Sequence, residues 1–136
     1  MGSTKVTWVG GQTFIGTDST NHSVVLSTPD EGIGMKPSDL LLVALSACTS
    51  VDVVEILTKK KMPPTSYEIT ASAEQGSEPP WPFLKIHLKY ILRGDKLTDK
   101  AVEQAIELSE KKYCSVAATI GGVAELTYEF EILPAE

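Results

Sequence analysis

One arginine, two cysteines and two histidines are all that this 136-residue chain offers of those types, and each scarcity closes off a class of function. The 12 basic residues are outnumbered by 18 acidic ones, for a net charge of −6. A surface that neutralises phosphates needs clustered Lys and Arg, so no nucleic-acid partner is expected. The one basic run, Lys59-Lys60-Lys61, falls where a helix should end, and there cations complement the negative end of the helix dipole. No CxxC pair is present, and only His22 and His87 could join the two cysteines around a metal, so neither metal nor cofactor is expected. Met1-Gly2-Ser3-Thr4-Lys5 leads into no apolar segment of the kind a secretory leader carries. The longest uninterrupted apolar stretch, Leu40 to Leu45, is far too short to span a bilayer. The expectation is a cytoplasmic protein with no membrane partner, in a compartment where structural disulfides are rare.

The length fits one domain, residues 1–136, with a single core. Val6 to Val9 and Gln12 to Gly16 read as short strands about a Gly10-Gly11 turn, and His22 to Leu26 as a third. Pro37 opens a helix that should run to about Lys61 and stop before Pro63-Pro64, with Asp39 at its positive end. Tyr67 to Gln75 and Leu84 to Leu92 alternate as a hairpin. Thr98 caps an amphipathic helix from about Asp99 to Lys112, with Ala101, Val102, Ala105 and Leu108 as its inner stripe. After Cys114 a short helical or turn segment reaches Gly121-Gly122, and Glu125 to Ile132 alternates as a last strand. The order βββ-α-ββ-α-β, with strands grouped apart from helices, means an α+β fold with a largely antiparallel sheet.

The long helix is apolar on two sides. Leu41, Leu45, Cys48, Asp52, Glu55 and Lys59 form one stripe, and Leu40, Val43, Ala44, Ala47, Val51, Val54 and Leu57 form another. Such a helix must be buried on nearly all sides. One six-stranded sheet and a 14-residue helix can hardly wrap it, so a homodimer is expected.

The two cysteines, Cys48 and Cys114, are the side chains here able to perform redox chemistry unaided. Cys48 reads either as a small core residue or as a nucleophile. It sits some ten residues into its helix, beyond the reach of the dipole, and Asp52 one turn on places a negative charge where a thiolate wants a positive one. Cys114, at the start of a new helical turn, sees free backbone N–H groups, or else is a loop cysteine under the sheet. His22 and His87 lie in strand-like runs and read as structural.

Leu26-Ser27-Thr28-Pro29, Gly34, Lys36-Pro37-Ser38-Asp39-Leu40-Leu41, Ala44 to Cys48 and Tyr113-Cys114-Ser115-Val116 together resemble the OsmC/Ohr family of osmotically inducible and organic hydroperoxide resistance proteins. The resemblance spans nearly the whole chain. It implies an OsmC-like fold: an intertwined homodimer with antiparallel sheets, two long central helices, and active sites at the subunit interface. It also implies a thiol peroxidase in which Cys48 attacks an organic hydroperoxide, Cys114 resolves the resulting sulfenic acid as a disulfide, and a lipoyl-type dithiol reduces that disulfide. Two positions depart from the family pattern. Gln12 stands where the peroxidases carry a thiolate-stabilising arginine, and Ser38 where a glutamate orients it, with Asp39 the only carboxylate nearby. Asp52 or Glu55 could orient a partner group but supplies no cation, and Arg93, the sole arginine, is a weak substitute. The competing functions are a non-catalytic OsmC-like protein that binds a small hydrophobic ligand at the dimer interface, and a structural stress protein with incidental cysteines.

Overall fold

A computed structural model describes residues 2–136. The chain falls into two compact units, Met1–Leu42 and Val43–Glu136.

The first unit is an antiparallel sheet of β1 (Lys5–Trp8), β2 (Thr13–Thr17) and β3 (Ser23–Ser27). Gly10 and Gly11 take φ of 107° and 54°, a conformation that costs a side-chain-bearing residue steric strain, so the turn falls where the sequence places it. The second turn is organised by Asp18, whose carboxylate accepts from the Thr20 and His22 amides at 2.9 Å each. Those bonds, the His22 amide foremost, hold its carboxyl below the usual range. His22 therefore belongs to this turn, one residue before β3 begins. Beyond β3 the chain folds back, and the Met35 amide donates to the Val25 carbonyl at 2.8 Å. A Cβ at Gly34 would stand 2.6 Å from that same carbonyl oxygen, so only glycine permits the approach.

Helix α1 (Pro37–Lys59) begins with Pro37 and Asp39 in its first turn, as expected from the dipole. Its end is a Schellman motif: the Met62 amide donates to the Leu57 carbonyl at 2.9 Å and the Lys61 amide to the Thr58 carbonyl at 3.0 Å. Lys61 adopts φ 63°, the position glycine normally fills. Changing Lys61→Gly removes that steric cost while adding chain entropy to the unfolded state. A net gain of about 0.5 kcal/mol is expected, read as a raised urea midpoint at fixed protein concentration. A lowered midpoint would refute this account of the cap.

Within its own chain α1 buries only the stripe Leu45, Thr49, Val53 and Leu57. Val43, Val51 and Val54 stay exposed, Val51 by 67%. By length and composition alone α1 is also long and apolar enough to cross a membrane, which the short run Leu40 to Leu45 did not suggest.

The second unit holds β4 (Ser66–Gln75), β5 (Phe83–Arg93) and β6 (Glu125–Leu133), in that spatial order. The two sheets of three strands replace the single six-stranded sheet expected. β4 and β5 form the antiparallel hairpin, but β6 runs parallel to β5. Parallel neighbours need a long crossover, and the helical segment after β5 supplies it: α2 (Asp99–Leu108), a π-helical turn (Ser109–Tyr113) and α3 (Ser115–Ile120). Thr98 caps α2 as predicted, accepting from the Ala101 amide at 3.2 Å. The α-helix stops four residues short of Lys112, because the chain widens into the π turn. Ile106, not Leu108, completes its buried stripe with Ala101, Val102 and Ala105. Alternation sorts the sheet: Ile86, Leu88, Tyr90 and Leu92 of β5 are buried, while Lys85, His87 and Lys89 carry the polar face. There His87 meets Glu129 at 2.6 Å and Thr127 at 2.7 Å.

Candidate active site around Cys48 and Cys114

Cys48 projects from the middle of α1, half-buried, and Cys114 stands between the π turn and α3 with 2% of its surface exposed. Cys48 lies near enough to Cys114 to influence the ionisation of its thiol. Cys114 is the N-cap of α3, and its Sγ accepts from the Ala117 amide at 3.3 Å. A free amide does face this sulfur, as the sequence implied. Its pull toward the thiolate is outweighed. Burial first, and the neighbouring Cys48 second, push the Cys114 thiol up to about 11. Near neutrality Cys114 therefore keeps its proton.

The sign of the pH effect follows. A thiol raised by the fold stabilises it fully below the ordinary thiol value, and that contribution is lost as pH climbs through about 11. Titrating Cys114 by thiolate ultraviolet absorbance in a Cys48→Ala variant tests the causes. The midpoint should drop below about 11, since both raising influences of Cys48 are gone, yet stay above an ordinary thiol because burial remains. A midpoint unchanged from wild type would show that Cys48 plays no part.

Asp52, one helical turn beyond Cys48, accepts from Ser109 Oγ at 2.9 Å. Glu55 instead pairs with Lys59 at 3.1 Å on the surface. Gln12, Ser38 and Asp39 belong to the first unit. There Gln12 accepts from Thr28 Oγ1 at 2.8 Å, Ser38 is half-buried, and Asp39 is exposed in the first turn of α1. Arg93 is engaged by the C-terminal segment, donating to the Pro134 carbonyl at 3.2 Å and pairing with Glu136 at 3.3 Å. Among the described residues no three His, Cys, Asp or Glu side chains are grouped to hold a metal ion.

A row of tyrosines on the inner face of the second sheet has no prominence in the sequence. Tyr67, Tyr90 and Tyr128 come from β4, β5 and β6, with neighbouring rings edge to face at 6.3 Å. Their hydroxyls donate to Ser50, Glu110 and Glu107 respectively. Burial raises all three phenols, Tyr67 to about 12. It also raises the Glu110 carboxyl, against the opposing hydrogen bond from Tyr90. Strand alternation would have found the row, since each tyrosine occupies an inward position. Glu107, Glu110, Tyr128 and Ala117 share the lining of a cleft of about 660 Å³.

The sequence matches the family of OsmC-like proteins over residues 29–129, and the chain belongs to that family. Protein YhfA of Escherichia coli K12 is 33% identical over 131 residues, covering 96% of this chain and 98% of that one. The crystal structure of a hypothetical protein from Aquifex aeolicus VF5 is similar at a TM-score of 0.90 and 29% identity, over 100% of this chain and 98% of that chain. The organic hydroperoxide resistance protein OhrB of Bacillus subtilis shares the fold at a TM-score of 0.64, with 16% identity over 95% and 98% of the two chains.

Proposed function

We propose that this protein is a thiol-dependent peroxidase that reduces organic hydroperoxides, acting as a cytoplasmic homodimer in oxidative-stress defence. The observation that carries the proposal is the neighbouring pair Cys48, half-buried, and Cys114, buried, the first near enough to raise the thiol of the second, in a member of a family whose fold is shared by an organic hydroperoxide resistance protein. Cys48, the more exposed sulfur, attacks the peroxide as a thiolate. The O–O bond breaks, an alcohol leaves with a proton, and Cys48 becomes a sulfenic acid. The Cys114 sulfur then displaces water to form the Cys48–Cys114 disulfide, its own proton leaving with that water. A lipoyl-type dithiol restores both thiols and leaves as its disulfide. A Cys114 that holds its proton at neutral pH favours this order, because it does not compete with Cys48 as the attacking thiolate. Gln12 brings no charge where the family peroxidases use arginine, so turnover should be slow.

The test is consumption of cumene hydroperoxide by the wild-type protein with dihydrolipoamide as reductant. Turnover above the protein-free rate supports the proposal. No turnover on any alkyl or aryl hydroperoxide sinks it and favours the binding reading. That rival has its own observation, a cleft of about 370 Å³ in the first unit lined by Val6, Val24, Leu26 and Leu40, sized for a small apolar ligand.

A further inference from the structure

Cys48 and Cys114 lie 66 positions apart on different elements, and Ser109 is bonded on both sides of the pair. Its side chain is fully buried. The hydroxyl lies 2.9 Å from Asp52 Oδ2 and 3.1 Å from the Thr49 carbonyl. Thr49 follows Cys48 directly, and Asp52 sits one turn further along α1. The backbone carbonyl of the same serine accepts from the Cys114 amide at 2.8 Å, which closes the π turn. Had the helix continued in α geometry, that amide would bond to the Glu110 carbonyl. Cys114 would then be rotated about the helix axis by roughly 100°. The wider turn thus sets the direction in which Cys114 faces, and the hydroxyl anchors that turn to the segment of α1 bearing Cys48.

We propose that Ser109 is the positioning residue of the cysteine pair, with Asp52 as its anchor on α1, and that together they set how readily the Cys48–Cys114 disulfide closes. This deepens the peroxidase reading by assigning a role to two polar side chains between the cysteine-bearing elements. It rests on that reading only in requiring that the two sulfurs bond.

The test uses the intact protein in a glutathione redox buffer, without peroxide. Oxidised glutathione takes the two electrons and becomes two thiols as the protein disulfide forms. The equilibrium constant reports the effective concentration of one sulfur at the other. Ser109→Ala should shift it toward the dithiol by about tenfold, the scale of one lost buried hydrogen bond. Asp52→Ala should act in the same direction, and adding it to Ser109→Ala should change little further, because both remove the Ser109–Asp52 bond. Asp52→Asn keeps an acceptor and should stay close to wild type. Leu57→Ala lowers stability on the same helix and should leave the equilibrium unmoved, which separates positioning from general loosening. A Ser109→Ala equilibrium equal to wild type, in folded protein, overturns the proposal. A wild type that forms no Cys48–Cys114 disulfide instead removes the resolving role of Cys114, and the positioning role falls with it.

Discussion

Cys114→Ser should consume about one equivalent of organic hydroperoxide per chain and then stop, while Cys48→Ser should consume none beyond the buffer background. The asymmetry follows from the chemistry of the two positions. Serine at 114 keeps an oxygen where the sulfur caps α3, so it can still accept from the Ala117 amide, and serine is a favoured N-cap. The variant should therefore fold. Cys48 in it can still attack and become a sulfenic acid, but a hydroxyl cannot displace water to close a disulfide. The stalled sulfenic acid should be trapped by dimedone and found by peptide mapping on Cys48 alone. In Cys48→Ser the attacking thiolate is gone. Cys114, buried and holding its proton up to about 11, is no replacement at neutral pH. Wild-type turnover by Cys114→Ser would remove the two-cysteine mechanism. Turnover by Cys48→Ser would exchange the two roles.

How much of this was legible in the sequence depended on whether the signal was local. Thr98 capping α2, the stop of α1 before Pro63-Pro64, and the alternation of β4 and β5 are local signals, and the structure carries all three. The pairing of β6 was not local. Its alternating residues fit an antiparallel or a parallel neighbour equally well, and the helical crossover decides between them. The π turn was hidden for a related reason. Ser109 to Tyr113 fits an α-helix by composition, and the turn is seen only in the bond from the Cys114 amide to the Ser109 carbonyl. The family resemblance led to Cys48 and Cys114, and the residues themselves suggested the exposed amide at Cys114. The competition between that amide and burial could not be weighed without the packing, so the thiol came out less acidic than its cap position implied. Ser109 was invisible because a lone serine in a charged helix end reads as solvated surface, and only tertiary contact with Asp52 gives it meaning.

Val51→Asp should convert the protein from dimer to monomer at micromolar concentration. Along α1, Val43, Ala47, Val51 and Val54 follow one another at helical steps of four, four and three, and the three valines are 46%, 67% and 36% exposed in the single chain. The opposite stripe, Leu45, Thr49, Val53 and Leu57, is already covered by the chain's own elements. An apolar stripe of this length needs a cover, and the one we propose is the same stripe of a second copy about a two-fold axis. That symmetry repeats every substitution on the partner. Burying a valine contributes about 1.5 kcal/mol or more, so losing it twice costs roughly 3 kcal/mol, and the dissociation constant should rise at least about 100-fold. Desolvating two carboxylates at the interface adds to this. Sedimentation velocity across a dilution series reads the result directly. Leu57→Ala, on the inner stripe, should lower the unfolding free energy by about 2 to 5 kcal/mol while leaving the dimer in place. A wild-type chain that sediments as a stable monomer at micromolar concentration, or a Val51→Asp chain that dimerises as wild type does, would end the proposal of a dimer through α1. Wild-type protein recovered with membranes and released only by detergent would instead assign the exposed valines to lipid.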